Sequence, residues 1–346
     1  MIRILFAGDF DPEYNRTKIL LKGLILLESV EVVLYTFRVK SFDKSRFVEL
    51  EAGCDVIFSP SFSHATANLI LKLAVKPVVF DPLISKYLTK VFDYKQVSKY
   101  GIRAYKNFRK DQLPMRNCSH LIADTHAHKE YFHQTFKVPL SKISVLPVGV
   151  DCKEFKPEDG RTPKEKFVIG FYGGFIPLQG VAYILQAAEE LKSFTEIEFR
   201  LVGTGFEFDK MNQIVKDKNL SNVKFLGWIE ADELPQVIAD FDICLGIFGN
   251  TKKAQLVIPN KIFHYAAMAK PIITMKTSAV QELFTNQNDI ILIETKKGSL
   301  STEIIQQKEN LLTAEAIGKN ARKLVKSKYD EVGTARQFIK IIESIL

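Results

Sequence analysis

The sequence predicts an α/β protein built from two doubly wound, parallel-sheet domains. Three observations carry that expectation. Short apolar runs rich in β-branched and aromatic residues alternate with longer segments of helical spacing. The alternation stops once, at a polar stretch rich in Pro, Gly and charge, and then restarts. A length of 346 residues suits two domains of ordinary size.

The first series fills residues 1–148. Its strand candidates are "IRILFA", "VEVVLYTF", "CDVIFS", "KPVVF", "HLIAD" and "KISVLPV". Helical segments such as "NRTKILLKGLILLES" and "HATANLILKLA" lie between them. Strand–helix alternation implies parallel pairing with helices on both faces. "GVDCKEFKPEDGRTPKEK", residues 149–166, reads as a linker.

The second series fills 167–328. Its strands are "FVIGFYGG", "IEFRLVG", "NVKFLGW", "FDICLGIF", "KPIITM" and "DIILIE". Helices are expected at "VAYILQAAEELKSF", 208–218, "ADELPQVIAD", from about Asn260, and through the tail from about Leu300. No short repeat and no low-complexity tract interrupts either series.

Hydrophobic residues at 46% with 26 Phe imply a well-packed aromatic core. The net charge of +8 admits nucleic acid, anionic lipid or a phosphorylated small molecule as partner. Cys54, Cys118, Cys152 and Cys244 lack metal-type spacing and read as reduced single thiols. "MIRILFAGDF" carries an Arg inside a short apolar run and does not read as a signal peptide. No run approaches 18 uninterrupted apolar residues, so no transmembrane helix is expected. The single thiols suit a reducing cytosol, and the expected location is cytoplasmic, with a peripheral place on the inner membrane face as an option.

Doubly wound domains bind ligands outside the carboxyl ends of their strands, in a cleft. In the second half those loops are "YGGFIPLQG", "VGTGFE", "LGWIE" and "GIFGNTKKAQLVIPNK". Gly173, Gly174 and Gly180 flank a strand-to-helix turn where backbone N–H groups could reach a phosphate, or simply make a tight turn. Gly203 and Gly205 repeat the arrangement one unit later. Trp228, the lone Trp, could wall a base or pack in the core. Lys252, Lys253 and Lys261 surround one strand-to-helix junction with Pro259 near the helix start, which points to a diphosphate rather than a solvated edge.

Other chemistry is weaker. His126, His128 and His133 do not share a helix face in metal-binding fashion and read as solvated. No metal site is expected. There is no GxSxG elbow, no P-loop and no complete GxGxxG after the first strand. The stretch 99–116, "KYGIRAYKNFRKDQLPMR", carries Lys99, Arg103, Lys106, Arg109, Lys110 and Arg116 against one Asp. Ile102, Tyr105 and Phe108 recur among them at helical spacing, which suits either an anionic membrane surface or an apolar stripe packed on the core. Nucleic acid is not expected, because no binding motif accompanies the charge.

The ordered set of the Gly-rich turn with "QG", "LVGTG", "NVKFLGWIEADELPQVIADFDICL" and "PNKIFHYAAMAKPIIT" resembles the nucleotide-sugar-binding half of retaining GT-B glycosyltransferases, over about 167–295. The large bacterial polysaccharide and glycolipid family, glycosyl transferases group 1, is the one it resembles. The resemblance implies an acceptor domain in 1–148, a nucleotide-sugar domain in 167–328, and a last helix, 329–346, packed back on the first domain. It implies a metal-independent hexosyl transfer from a UDP- or GDP-linked donor to a glycan or lipid-linked glycan, with no separate cofactor.

Several positions depart from the family pattern. The usual Arg and Lys of the glycine turn fall at Gly174 and Gln179. The usual ribose-binding Glu falls at His264, and a second Glu at Leu256. The usual His after "KPVVF" is replaced by "FDPLIS", with Asp81. The roles implied are therefore Lys261 for leaving-group charge, Lys253 beside it, and His264 for ribose or phosphate. Gly173, Gly174, Gly180, Gly203, Gly205 and Trp228 would complete donor binding. Asp81 would contact sugar or acceptor. A non-catalytic sugar-nucleotide-binding subunit and a sugar-nucleotide epimerase of the same fold are the rival expectations.

Overall fold

A computed structural model describes residues 1–158 and 164–346. Residues 159–163 of the expected linker lie outside the described residues. The chain divides into two units: Met1–Gly149 with Lys328–Leu346, and Val150–Ser327.

In the first unit the strands are β1 (Ile2–Gly8), β2 (Val30–Thr36), β3 (Val56–Ser59), β4 (Val78–Phe80), β5 (His120–Ala123) and β6 (Ile143–Val145). They form one parallel sheet in the order β2-β1-β3-β4-β5-β6. The central strands are nearly continuous apolar runs because helices cover both faces. One face buries Ile4, Phe6, Val56 and Phe58 against Leu20 and Leu24 of the helix Asn15–Ile25. The helix Glu331–Glu343 completes that face with Ala335, Phe338, Ile339 and Ile342. Phe338 meets Phe58 edge-on at 4.9 Å between ring centres.

The second unit has β7 (Phe167–Tyr172), β8 (Ile197–Val202), β9 (Val223–Gly227), β10 (Ile243–Leu245), β11 (Ile272–Met275) and β12 (Ile291–Ile293). Their order is β12-β11-β10-β7-β8-β9, again all parallel. The strand order reverses between β7 and β10. Ligand crevices in such sheets open at that reversal, outside the carboxyl ends of the two strands. The loops leaving β7 and β10 are the glycine turn and the lysine-bearing stretch.

The helix Ile102–Asn117 corrects one expectation about its apolar stripe. Its buried residues are Ala104, Asn107, Asp111, Gln112, Pro114 and Met115, not the stripe. Ile102 and Tyr105 are exposed, as is Tyr100 just before the helix. Only Phe108 packs inward, near the rings of Tyr87 and Phe136. The inward face is polar because buried Asp111 accepts hydrogen bonds from Ser85 Oγ at 2.7 Å and the Tyr87 N–H at 2.8 Å.

The histidines correct another. His126 is exposed, but His128 is buried with Nδ1 2.6 Å from Asp124 Oδ1, and His133 Nδ1 lies 2.8 Å from the Val138 carbonyl. A helix that packs on a sheet edge turns every third or fourth residue inward whatever its polarity, provided a partner waits there. Among the described residues no group of three His, Cys, Asp or Glu is placed to hold a metal ion. Cys54, Cys118 and Cys244 are buried thiols outside any disulfide. No described helix is long and apolar enough to cross a membrane.

Candidate functional site

The carboxyl edge of the second sheet is assembled from two loops that touch through their backbones. After β7 the chain passes Gly173 and Gly174, makes a tight turn at Pro177–Gln179, and enters the helix Val181–Glu190 through Gly180. After β10 it runs through 246–259 and enters the helix Asn260–Ala267. The Phe248 N–H donates to the Gln179 carbonyl at 3.0 Å and the Gly249 N–H to the Leu178 carbonyl at 3.2 Å. A Cβ on Gly180 would lie 2.4 Å from the Phe248 carbonyl carbon, and one on Gly249 would lie 2.2 Å from the Pro177 oxygen. Both positions are glycine because the two loops lie backbone to backbone.

The five candidate glycines separate into two groups. The N–H groups of Gly173, Gly180 and Gly203 already donate, to the carbonyls of Val202, Pro177 and Gly227. Gly174 and Gly205 are exposed, and their N–H groups have no partner among the described residues. Those two amides are the ones left to receive an anion.

Lys261 lies below this edge and is only 3% exposed. Its Nζ donates to Gln179 Oε1 at 2.7 Å and stands 3.5 Å from the centre of the Phe171 ring. A Cβ on Gly173 would come within 2.9 Å of that Nζ, so Gly173 also makes room for the lysine. No carboxylate among the described residues acts on the ammonium, and burial pushes it well below the ordinary lysine range. An aromatic face returns about 2 kcal/mol to a desolvated cation. Removing an ammonium from water costs several kcal/mol. The ring and one amide oxygen therefore offset only part of the cost.

The glycine turn lacks a lysine, carrying Gln179 where the family pattern has one. The structure brings the amine of Lys261 to that glutamine from the neighbouring helix. Lys253 is buried as well, and Lys252 is exposed. The description of a solvated edge therefore fits Lys252 alone.

His264 is buried with Nδ1 2.6 Å from the Tyr172 hydroxyl. Phe155 stacks on one ring face at 3.8 Å, and Tyr172 lies parallel at 5.9 Å. The Tyr172 N–H donates in turn to the Tyr265 hydroxyl at 3.0 Å. Trp228 is 71% exposed and its indole N–H donates to Glu230 at 3.2 Å, so it does not pack in the core. Phe206, leaving the adjacent strand β8, is also exposed.

Asp81 belongs to the first unit and is buried. One oxygen accepts Arg16 Nε at 2.5 Å and the other accepts the Leu83 N–H at 3.0 Å. Arg16 also donates to the Leu146 carbonyl at 3.0 Å. Burial raises the Asp81 carboxyl while Arg16 opposes the rise. The carboxylate is closed into an internal ion pair.

Phe171, Tyr172 and the Lys261–Gln179 contact were not expected from the sequence. Neither was the grouping of His64, Ser85 and Asp111 in the first unit. Burial lowers the His64 imidazole to about 4 and raises the Asp111 carboxyl to about 6. His64 Nε2 lies 3.5 Å from Asp111 Oδ1. Residues this far apart in the chain leave no local pattern; only the sheet order brings them together.

Comparison with known proteins agrees with the geometry. Residues 166–313 match the family model described as glycosyl transferases group 1. A stretch of 67 residues, 19% of this chain, is 34% identical to the MMP alpha-(1->4)-mannosyltransferase of Mycolicibacterium hassiacum. A stretch of 164 residues, 45% of this chain, is 22% identical to an uncharacterized glycosyltransferase of Methanocaldococcus jannaschii. These matches span 16% and 42% of the two curated relatives. Among solved structures, Anabaena HepE in complex with UDP superposes with a TM-score of 0.76 at 17% identity, covering 99% of this chain and 100% of that one. Sucrose-phosphate synthase from Thermosynechococcus elongatus superposes with a TM-score of 0.76 at 14% identity, covering 100% and 99%. At these identities the likeness is one of fold, and the fold is GT-B.

Proposed function

We propose that this chain, whose second unit is of the glycosyl transferases group 1 type, transfers a hexose-type sugar from a nucleoside diphosphate donor to a glycan or lipid-linked glycan. The observation that carries the reading is the buried lysine at the strand-order reversal. Lys261 is held beside Gly173, next to the free amide of Gly174 in the same turn, with no carboxylate among the described residues acting on it. Charge grows on the departing diphosphate as the glycosidic bond breaks, and a fixed cation with oriented N–H donors stabilises it there. In this reading Gly174 and Gly205 meet the phosphates, Lys261 meets the leaving oxygen, and Lys253 adds positive potential. His264 sets the ribose side, and Trp228 with Phe206 offers flat apolar surface to the base. Asp81 acts on the first unit through Arg16 rather than by touching sugar.

HepE is described in complex with UDP and with UDP-glucose, which makes UDP the first nucleotide to try. GDP is the second. The retaining course and the surface-polysaccharide or glycolipid setting rest on the family resemblance. A cytoplasmic site beside an anionic membrane suits the basic helix, whose Ile102 and Tyr105 are exposed. The test is thermal melting with UDP and GDP, with and without chelator, followed by transfer assays with a donor panel. UDP at 100 times its dissociation constant should stabilise the protein by about 2.7 kcal/mol, in chelator as well. A product whose anomeric configuration is inverted would remove the retaining assignment. Binding without turnover on any donor would favour a non-catalytic subunit.

A further inference from the structure

We propose that Lys261 is a neutral amine in the unliganded protein and takes one proton from solvent when the diphosphate of the donor binds. The inference rests on the donor-site reading above and adds to it the protonation state of the group that meets the phosphate.

The argument is geometric. An ammonium has three N–H donors, and Lys261 offers one to Gln179, stands 3.5 Å from the centre of the Phe171 ring, and fills the space that a Cβ on Gly173 would take. The titratable groups facing it are Tyr172 on β7, 5.8 Å from Nζ to ring centre, and His264 and Tyr265 on its own helix. Both phenols are pushed well above their ordinary range by burial and stay neutral. None of the three supplies a negative charge. Lys261 also lies in the first turn of its helix, whose positive end favours an anion and disfavours a cation.

A neutral amine keeps one acceptor lone pair and two donors, which the glutamine and the ring accommodate without a counterion. When a diphosphate oxygen arrives above Gly173 and Gly174, the balance reverses. The phosphate supplies the missing anion, the amine lone pair takes a proton from water, and an ammonium–phosphate pair forms. One proton is taken up per diphosphate bound, and no other bond changes. Donor binding is thereby coupled to charging the residue that later meets the leaving group.

The experiment is isothermal titration of the whole protein with UDP at about pH 8, in two buffers of different ionisation enthalpy. A phosphate's second ionisation lies near pH 6, so at this pH UDP binds without exchanging its own proton. The expected result is uptake close to one proton per UDP, and affinity that falls about tenfold per pH unit above neutrality. Gln179→Glu places a carboxylate against Nζ, charges the lysine beforehand and should abolish the uptake. Lys261→Met should bind more weakly with no uptake, and His264→Gln should keep the uptake. UDP binding with no proton uptake and a flat pH profile in wild type would overturn the inference while leaving the donor site intact. Absence of binding by both UDP and GDP would overturn both. The wild-type measurement decides even if a variant fails to fold.

Discussion

Arg16 in the first unit and Lys261 in the second are both buried under the carboxyl edge of a sheet, and the two are treated in opposite ways. In the first unit Arg16 meets Asp81 at 2.5 Å, and the Leu146 carbonyl takes a second donor. In the second, Lys261 meets a neutral amide and an aromatic face. The first answers its charge with a carboxylate and needs no ligand for that, although Arg16 Nη1 is buried without a hydrogen-bond partner among the described residues. The second leaves its charge unanswered, which is unstable unless the proton leaves or an anion arrives. A buried cation supplied with its own anion fastens a fold; one left without it is available to a substrate.

The comparison can be broken from the first-unit side. Asp81→Ala leaves Arg16 buried and unpaired, and should cost about 3–5 kcal/mol of stability. Denaturant unfolding measures it. A stability loss under about 1 kcal/mol would mean that Asp81 is not structural, and its expected part in sugar or acceptor contact would return.

Lys261→Ala makes the reverse change and should lower kcat on the order of 10²-fold, as loss of one oriented transition-state donor does, with the fold kept. Lys253→Ala should fall between that and the mild effect of Lys252→Ala. His264→Ala should raise KM more than it lowers kcat, because ribose contacts change little during the reaction. Steady-state kinetics with circular dichroism checks all four. A folded Lys261→Ala enzyme with near-normal kcat would erase the contrast between the units.

A smaller effect sharpens the comparison through pH. His64 is buried in the first unit and lowered to about 4, against an ordinary imidazole near 6.5. Its contribution to stability is present above pH 6.5 and is lost as pH falls toward 4, because only the unfolded chain binds the proton readily. Asp111, raised to about 6, acts in the opposite sense: its ionisation opposes folding at neutral pH, and that opposition fades as pH falls from about 6 toward 3.8. In wild type the two partly cancel. His64→Leu should therefore leave a protein that gains stability relative to wild type as the pH drops from 6.5 to 4, measured by urea midpoints. Parallel pH profiles would rule the His64 contribution out.

The smallest effect concerns the basic helix. Vesicles with anionic lipid should sediment the protein, and high salt should release it. Ile102→Ser with Tyr105→Ser should weaken the binding severalfold without altering the fold, since both side chains are exposed. Equal partition onto neutral and anionic vesicles would count against a membrane surface.

The strands were legible because central parallel strands are buried on both faces and read as short unbroken apolar runs between Gly, Pro and polar residues. Each of the twelve runs quoted from the sequence coincides with a strand; eleven contain theirs, and the first lies within β1, which extends one residue further to Gly8. The site was less legible. The turn at 173–180 and the loop at 246–259 could be found, but which amides stayed free could not, because Gly180 and Gly249 face each other across a long separation in sequence. Lysine counts as surface on composition alone, so the enclosure of Lys261 required the ring of Phe171 and the amide of Gln179 to be placed first. The helix Ile102–Asn117 hid its inward face for the same reason, since Asp111 and Asn107 look like solvent-facing residues until their partners are known. The helix Lys44–Ala52 was not foreseen, its "KSRFVELEA" burying little beyond Phe47 and Glu51.

The packing of Phe338 and Ile342 among Ile4, Phe6 and Phe58 has a consequence for synthesis. A ribosome makes residues 1–149 first, yet the part of that sheet face beside the helix Asn15–Ile25 stays uncovered until the helix Glu331–Glu343 emerges. The later-made stretch 150–327 holds its own core and can close before the earlier one does. The nascent chain thus carries an open apolar surface through most of its translation, a state in which holding chaperones have something to grip. Slowing elongation anywhere between codons 150 and 330 should lengthen that exposure.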